Sequence, residues 1–291
     1  MKFMKEKPLE LPQLSFLLIR TLSMVCAPLL FLSACTTIDH VTGQEVRNMY
    51  SLSEEIQLGS EVMRGYTSEM TANHVPVNQD VQRLAHLQDM MRRIASVSHL
   101  PTLPYEVTLY HTNIVNAMAA PGGKIMVFDG LWDEKNGLVR DDDELAAVMA
   151  HEIAHVNCRH SAEAMTRALP AQLLLASAAL YAEMEEDDNV ATAVGAAFLL
   201  YQGLWMPYYS RRDELEADRV GMMYMAKAGY NPEAAIRIWK RVDEHQGSVP
   251  ALSIFSTHPS NEKRYQELMQ YLPSAQAAYR LTRQTQNVMQ P

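Results

Sequence analysis

The sequence predicts an α+β fold that is mainly helical and has a small β-sheet ahead of its central helix. Two observations lead to this prediction. Residues typical of strands are concentrated between positions 105 and 128, and apolar residues on both sides of that stretch recur at helical spacing. With 291 residues, of which 48% are hydrophobic and 20% charged, the chain is long enough to bury a sizeable core.

The charge and the cysteines argue against several classes of protein. The formal charge of −9 and the absence of Lys and Arg clusters indicate that nucleic acid is not a partner. The three cysteines, Cys26, Cys35 and Cys158, contain no closely spaced pair of the kind that binds structural zinc, and they provide no disulfide framework. No internal repeat is present, so a single domain is the simpler prediction.

The N-terminus resembles an export signal. Basic residues precede an apolar run, residues 21–32, that is too short to cross a bilayer comfortably. Leu32-Ser33-Ala34 and then Cys35 follow, in an arrangement similar to the lipobox of bacterial lipoproteins. We therefore expect residues 1–34 to be a lipoprotein-type signal peptide and Cys35 to carry the lipid. The alternative is an uncleaved anchor helix or a buried N-terminal helix.

A lipid on Cys35 would hold the chain at a membrane, on the periplasmic side of the cell envelope, since several acyl chains on one residue anchor firmly. Thr36, rather than aspartate, follows the cysteine. By resemblance to other lipoproteins, this favours the outer membrane over the inner one. Residues 35–50 are then a lipidated polar tether, residues 51–285 a single domain, and residues 286–291 a tail.

Two helices are expected at the start of the domain. Ser51 and Ser53 are suitable N-caps for the first, because their hydroxyls can accept from free backbone amides. The second is predicted over residues 79–97, where apolar residues recur close to the 3.6-residue period.

The predicted sheet follows these helices. Tyr105–Tyr110 alternates as a strand does, and two more strand-like runs cover residues 114–118 and 124–128. Pro121-Gly122-Gly123 lies between those runs and predicts a hairpin or tight bend. We expect a sheet of three or four strands.

From residue 141 the sequence is helical almost to its end. Asp141 and the two aspartates after it offer an N-cap and a negative first turn for a helix that reaches about Met165. Two apolar segments, residues 169–182 and 190–206, follow on either side of an acidic loop. Their length and their Pro and Gly residues favour helices that are buried or near a membrane surface, with membrane insertion as the alternative. Later helices are predicted over residues 211–228, 232–244, 261–272 and 274–283.

The helix after Asp141 carries the sequence His151-Glu152-Ile153-Ala154-His155. Residues four apart share one face of a helix, so both imidazoles can reach one metal ion, while the apolar residues Leu145, Met149, Ile153 and Val156 gather on the opposite side. Glu152 could deprotonate a water held by that metal. A catalytic zinc also needs a third protein ligand and an open position.

A later helix offers the third ligand. Glu214 and Asp218 are four residues apart, so one carboxylate can bind the metal while the other accepts a hydrogen bond from a ligand imidazole. Glu216 competes with Glu214 as the ligand, although it points to another face of the helix.

HExxH followed by ExxAD resembles the gluzincin arrangement of peptidase family M48. That family includes the CAAX prenyl endopeptidase, the mitochondrial overlapping-activity protease and the bacterial β-barrel-assembly-enhancing protease. Other matching motifs are Asn116–Gly123, Glu144–Val148, Arg159-His160, Tyr209–Arg211, and His258-Pro259 with Arg264. The resemblance extends over roughly residues 52–272 and implies a zincin-type metallopeptidase fold.

The resemblance also implies the roles of the site residues. His151, His155 and Glu214 would bind one Zn²⁺ per chain, Glu152 would be the general base, and Asp218 would orient His151.

The strand at Asn116, Ala117 and Met118 would pair with the backbone of an extended substrate. His258 would assist catalysis, occupy the open zinc position at rest, or only pack a loop, and Arg264 would be an ion-pair residue near the site. Outside this set, His160 is expected to be a surface or capping residue and Cys158 a small, partly buried residue.

These features predict a zinc-dependent endopeptidase, and the family resemblance implies that it cleaves unfolded or misfolded envelope proteins in quality control. The alternative is a periplasmic chaperone or assembly factor for outer-membrane proteins, with latent or secondary peptidase activity and a link to the outer-membrane assembly machinery. A purely structural zinc protein would instead show four protein ligands and no open position.

Overall fold

The computed structural model describes residues 36–135, 137–184, 209–244, 258 and 262–289. The chain divides into two compact units, one made of Met1–Thr36 and Arg167–Gln202, the other of Thr37–Thr166 and Gly203–Pro291. Every site residue predicted from the sequence, except Cys35, belongs to the second unit. The predicted signal peptide, Cys35 and the apolar segment 190–206 lie outside the described residues.

The elements confirm an α+β fold that is mainly helical. In chain order they are β1 (Thr37–Ile38), β2 (Glu45–Val46), α1 (Leu52–Ala72), α2 (Val81–Ala95), β3 (Glu106–Tyr110), β4 (Ala117–Ala120), a 3₁₀ turn (Pro121–Gly123), β5 (Lys124–Phe128), a second 3₁₀ turn (Asp129–Trp132), α3 (Asp142–Asn157), α4 (His160–Met184), α5 (Arg211–Lys227), α6 (Glu233–Glu244) and α7 (Glu262–Met289).

The main sheet has three strands in the order β3-β5-β4. β3 runs parallel to β5, with Val107 opposite Ile125, and β4 runs antiparallel to β5, with Ala119 opposite the same residue. β4 is therefore an edge strand. All four of its residues are buried, so other parts of the second unit cover this edge.

The turn between β4 and β5 is fixed by close packing against α1. Gly122 has φ of 67°, and a Cβ at this position would lie 2.4 Å from the Cα of Ile56. Only glycine satisfies both conditions. Ser51 begins α1 with a capping box that includes Glu54, which confirms the predicted start of the helix.

α3 carries the two histidines through the centre of the core. Asp141 caps it by accepting from the backbone N–H of Glu144. The predicted apolar side is confirmed, since Leu145, Met149 and Ile153 are all at most 2% exposed. The other faces of the helix are largely buried as well.

The prediction that this helix continues to Met165 is wrong. α3 ends at Asn157, and Arg159 adopts a left-handed conformation with φ of 60° before α4 begins at His160. The break directs the Arg159 guanidinium to buried Glu55, where Nε donates to Oε1 at 2.7 Å. A buried guanidinium needs such a carboxylate partner, and a continuous helix would not place it there.

Residues predicted as a polar tether take part in this arrangement. Thr37 and Val46 pair across the antiparallel β1–β2 hairpin. Arg159 donates to the hydroxyl of Thr37 at 2.8 Å and to the carbonyl of Tyr50, so both ends of the segment 37–50 are hydrogen-bonded to one side chain.

α5 packs closely along α3 because Gly221 has no side chain. A Cβ at Gly221 would lie 2.9 Å from both the carbonyl oxygen of Ala150 and the amide nitrogen of His151. This approach places the acidic face of α5 against the histidine face of α3.

The two helices predicted over residues 261–272 and 274–283 form one continuous helix, α7, which contains Pro273 and runs to Met289. Leu268 and Ala275 are both 1% exposed, and seven residues separate them, so they lie on one buried face. Continuous packing of that face offsets the hydrogen bond that Pro273 removes. The helix also enters the segment predicted as a tail.

Among the described residues, no helix is both long enough and apolar enough to cross a membrane. The apolar segment 169–182 forms part of α4, which continues through Pro170 without a break.

Candidate active site

The three predicted ligands, His151, His155 and Glu214, converge at the contact between α3 and α5. The Nε2 atoms of His151 and His155 lie 3.0 Å apart. Glu214 places Oε2 at 3.4 Å from the first of them and Oε1 at 3.4 Å from the second. His155 and Glu214 are completely buried, whereas the His151 side chain is 14% exposed.

These separations fit one zinc ion. Tetrahedral ligand atoms about 2.0–2.1 Å from zinc lie roughly 3.3 Å from one another, and two imidazole nitrogens with a carboxylate form a common donor set for catalytic zinc. The three donor groups are buried or nearly buried and face one another, and a divalent cation between them would meet the lone pairs of both nitrogens and the charge of the carboxylate. The residues present therefore suit the metal.

The carboxylates on α5 make this site strongly negative. Burial alone would raise the pKa of Glu214, but the charge of Arg264 and the nearby His258 hold the pKa of its carboxyl well below the usual range. Arg264 likewise outweighs burial at Asp218 and lowers the pKa of that carboxyl. Both shifts favour the ionised form of these side chains.

The nearby carboxylates change the pKa of His151. Its Nδ1 lies 3.0 Å from Asp218 Oδ1. Burial would lower the pKa of the imidazole, but the hydrogen bonds to Asp218 and Glu214 raise it to about 10. The surroundings thus favour a positive charge at His151, which a divalent cation on Nε2 would also supply.

Arg264 is the predicted ion-pair residue, and the structure brings it between both carboxylates. Its Nε is 2.6 Å from Asp218 Oδ2, and its Nη1 is 2.6 Å from Glu214 Oε2. The guanidinium also lies 3.6 Å from the ring centroid of Trp239. Arg264 is 1% exposed, so both of its ion pairs are shielded from water.

Glu152 lies beside the ligands and is 2% exposed. Burial raises the pKa of its carboxyl, although His258 and His151 oppose the shift. Its Oε2 is buried and has no hydrogen-bond partner among the described residues, so this oxygen has an unused capacity to accept a proton. A carboxylate with a raised pKa is suited to general base catalysis near neutral pH.

His258 lies within the ligand cluster, where its two ring nitrogens face different groups. Nδ1 is 3.0 Å from Glu214 Oε1 and 3.3 Å from His151 Nε2, which makes it a fourth donor at the same point. Nε2 is 3.5 Å from Glu152 Oε1. His151, His155, Glu214 and His258 together form a group able to hold a metal ion.

The predicted substrate strand lies next to these groups. The carbonyl of Asn116 accepts from the backbone N–H of Phe128, so the polar groups of Ala117 and Ala119 face away from β5. His258 Nε2 is 3.4 Å from the carbonyl oxygen of Ala117. The backbone N–H of Ala119 lowers the pKa of the Glu152 carboxyl, against the larger effect of burial. Met118 pairs opposite Met126 of β5 and is 1% exposed.

Two residues that sequence reasoning did not single out cover the remaining carbonyl of this edge. Ser161 and Tyr209 both donate to the oxygen of Ala119, at 2.9 and 3.0 Å. The Tyr209 ring stacks on His155, with centroids 3.8 Å apart and planes inclined by 17°. The Tyr209–Arg211 motif was the available signal, but only the fold shows which way the ring faces.

The prediction that His160 is a surface or capping residue is wrong. His160 is 2% exposed, and its Nδ1 lies 2.9 Å from His155 Nδ1. Its other nitrogen is 3.5 Å from Glu216 Oε2, so Glu216 faces His160 and not the predicted metal. The prediction assumed one continuous helix through residue 160, but α3 ends before Arg159 and α4 begins in a different direction. Cys158, which was expected to be partly buried, is 1% exposed.

A cavity opens beside His151 and Glu152. Its walls are mainly apolar and come from four helices, α3, α5, α6 and α7; they include Val148, Met222, Ile238, Trp239 and Leu268. Asp218 and His258 add polar groups where the cavity meets the ligand cluster. The arrangement can hold an apolar side chain close to Glu152.

Comparisons with known proteins agree with this geometry. The model of peptidase family M48 matches residues 81–272. The mitochondrial metalloendopeptidase OMA1 of Schizosaccharomyces pombe is 37% identical over 219 residues, which are 74% of this chain and 59% of that protein. OMA1 of Arabidopsis thaliana is 35% identical over 176 residues, which are 60% and 33% of the two chains. The beta-barrel assembly-enhancing protease of Escherichia coli is 27% identical over 227 residues, which are 76% of this chain and 44% of that protein. The chain thus spans less than two thirds of each relative.

Arg264→Met tests the electrostatics of the cluster. Two buried carboxylates lose their cation, so we expect the free energy of unfolding of the zinc-free protein to fall by about 3–5 kcal/mol in urea denaturation. Arg264→Lys keeps the charge but not the forked geometry of the guanidinium, and its free energy of unfolding should fall less than that of Arg264→Met. Arg92→Gln, which removes an exposed pair with Asp89, is the control and should change stability by less than about 1 kcal/mol. Equal effects of Arg264→Met and Arg92→Gln would contradict this account.

Proposed function

We propose that this chain, which belongs to peptidase family M48, is a zinc-dependent endopeptidase that cleaves unfolded or misfolded proteins of the cell envelope. The observation that carries the proposal is the convergence of His151, His155 and Glu214 on one point, with the carboxylate of Glu152 buried beside it. M48 metallopeptidases are zinc-dependent, and this donor set suits zinc.

In this proposal the residues around the ligands divide the work. Zinc, when bound, supplies Lewis acidity that activates water and polarises a peptide carbonyl. Glu152 accepts the proton of the attacking water on Oε2 and returns it to the leaving amine. Asp218 holds His151 in the tautomer that leaves Nε2 free for the metal, because Nδ1 then carries the proton that Asp218 accepts.

The substrate would lie extended along β4. The carbonyl of Ala117 is directed away from the sheet and can accept from a substrate backbone, an interaction that reads main chain and not sequence. Asn116 and Met118 face β5 and keep the strand in register. The apolar cavity beside Glu152 would hold a side chain next to the scissile bond, which suits unfolded chains because their apolar residues are exposed.

The second candidate function is that of a chaperone or assembly factor with latent peptidase activity. One observation favours it: His258 Nδ1 is a fourth protein donor, 3.3 Å from His151 Nε2 and 3.0 Å from Glu214 Oε1. We propose that His258 occupies the fourth zinc position at rest and must move before water can enter. In this role it restrains cleavage, and beyond the resting state it can assist through its contact with Glu152.

The cellular setting is part of the proposal. Residues 1–34 would be removed as a signal peptide, and lipid on Cys35 would hold the metallopeptidase domain, residues 51–285, on the periplasmic side of the outer membrane. One relative is named for beta-barrel assembly enhancement, which supports misassembled outer-membrane proteins as substrates and the outer-membrane assembly machinery as a partner. No nucleic acid is involved, in line with the charge of −9.

Glu152→Gln tests the reaction. The amide cannot accept a proton, so cleavage of an unfolded substrate such as casein should fall by about 10²-fold to 10⁴-fold. Zinc content should remain near one ion per chain, because Glu152 is not a ligand. Zinc-loaded wild type that never cleaves, yet prevents aggregation of an unfolded protein, would replace the peptidase proposal with the chaperone one.

His258→Ala tests the resting state. If His258 keeps the site closed in nine molecules of ten or more, its removal should raise the cleavage rate by roughly tenfold or more, and zinc affinity should fall because a donor is lost. The matched control, His40→Ala, removes an exposed histidine and should change neither quantity. A loss of cleavage with unchanged zinc affinity would assign His258 a catalytic role instead.

Ala235→Leu tests the cavity, to which Ala235 contributes. Wild type should prefer Leu or Phe over Ala and Asp at one position beside the scissile bond. The larger side chain at 235 should reduce the preference for Phe over Ala by about 10-fold or more, the scale of one or two methylene groups in an apolar pocket. Thermal unfolding checks that the core tolerates the change. An unaltered preference would exclude this cavity as the side-chain site.

Cys35→Ala tests the anchor. We expect the variant to leave the membrane fraction of cells, because its lipid attachment site is gone. Cys26→Ala, within the predicted signal peptide, is the matched control and should remain attached. Membrane attachment that persists in Cys35→Ala would refute the lipid anchor.

A further inference from the structure

His155 has a second ring nitrogen whose partner is unusual for a zinc-binding histidine. Its Nε2 faces His151 and Glu214, while its Nδ1 lies 2.9 Å from His160 Nδ1. His160 Nε2 in turn lies 3.5 Å from Glu216 Oε2. His151, by contrast, meets the carboxylate of Asp218 directly. The two ligand histidines are therefore supported in different ways.

The positions of the protons follow from the chemistry of imidazole. A neutral ring has one N–H, so a His155 that presents the Nε2 lone pair to a metal carries its proton on Nδ1. That N–H can donate to His160 only if His160 Nδ1 is the acceptor. The proton of His160 then lies on Nε2, directed toward the Glu216 carboxylate. The tautomer of His155 therefore determines the tautomer of His160, whose remaining N–H is directed at the charged Glu216 carboxylate.

We infer that His160 and Glu216 form a relay that fixes the tautomer of His155 and supports its bond to zinc. His160 is a positioning residue here, since it touches neither the metal nor the substrate. The relay rests on the proposed function in one respect, namely that His155 is a zinc ligand. It assigns to His160 of α4 and Glu216 of α5 a role different from the roles that the sequence predicts for them.

The surroundings keep water away from most of this relay. His155 is fully buried and His160 is 2% exposed, so the hydrogen bond between their Nδ1 atoms has no solvent competitor at either end. Tyr209 stacks on the face of His155 and restricts rotation of the ring. Glu216 also meets Arg219 at 3.6 Å on its outer side, where the arginine is 43% exposed.

A second use of the same residues competes with the relay. Ligand atoms of Cys158, His160 and Glu216 all lie within 4.8 Å of one another and could hold another metal ion. That ion would need His160 Nε2, which would move the His160 proton to Nδ1, opposite the N–H of His155. Support of His155 and metal at Cys158 therefore exclude each other. Burial raises the pKa of the Cys158 thiol, which opposes the thiolate that a metal requires.

The experiment measures zinc affinity by competition with a chromophoric chelator, zinc per chain, and the urea unfolding of zinc-free protein. His160→Leu removes the acceptor and should weaken zinc binding about 10-fold to 100-fold, the usual effect of losing a residue that supports a metal ligand. His160→Asn retains an oxygen near the position of Nδ1 and should recover much of that loss. Arg92→Gln, at an exposed position of α2, is the control and should bind zinc as wild type does.

Glu216→Gln gives a test that does not depend on folding of the buried variant, because Glu216 is partly exposed. It should weaken zinc binding by a smaller factor than His160→Leu. The double variant should bind zinc no more weakly than His160→Leu alone, since the two residues act in series.

Three outcomes would overturn the relay. The first is reduced stability of zinc-free His160→Leu with unchanged zinc affinity, which indicates packing alone. The second is two zinc ions in wild type with one lost in both His160→Leu and Cys158→Ser, which indicates the competing metal site. The third is additive losses in the double variant. Failure of wild type to bind zinc at all would instead refute the proposed function, so the two failures are distinguishable.

Discussion

The structure depends on burying several carboxylates in one place and compensating their charge. Glu214 and Asp218 are both inside the protein, and Glu152 lies on the neighbouring helix. Isolated buried carboxylates are too costly to persist, so each must meet a cation or hydrogen-bond donors. Arg264 compensates part of this charge, and the rest is directed at the imidazole nitrogens, where a divalent cation fits.

This requirement explains features that are distant in the sequence. Gly221 allows α5 to approach α3 closely enough for the carboxylates to reach the histidines. α7 continues through Pro273, and the buried face that holds Leu268 in place also fixes the position of Arg264 near its start. Trp239 of α6 covers the guanidinium and keeps water from separating the ion pairs.

The turn after α3 connects the site with the N-terminal part of the second unit. Arg159 leaves the helical conformation, and its side chain is satisfied by Glu55 of α1 and by the segment 37–50. Because the chain turns there, the next two residues face inward. His160 reaches His155, and Ser161 reaches the carbonyl of β4. One structural ion pair thereby sets the direction of two residues beside the ligands.

Sequence reasoning succeeded where the information is local. A four-residue spacing on one helix is enough to place His151 with His155, or Glu214 with Asp218, on a common face. It failed where position depends on long-range compensation. His160 was predicted at the surface because α3 was assumed to continue past it. Nothing near Arg159 in the sequence indicates that Glu55, 104 residues away, is the partner of Arg159. The orientation of Tyr209 likewise depends on β4 and α3, which are remote in the chain.

The edge strand and the ligand cluster share one side chain, and this has a consequence for the proposed function. The carbonyl of Ala119 is already satisfied by Ser161 and Tyr209, whereas among the described residues the carbonyl of Ala117 is contacted by His258. The same histidine provides the fourth donor to the ligands. In the proposed function, a substrate strand that takes the Ala117 carbonyl would compete with His258, and release of His258 would also open the position that water needs. Binding on the strand and opening of the site would then favour each other, because both exclude the same imidazole.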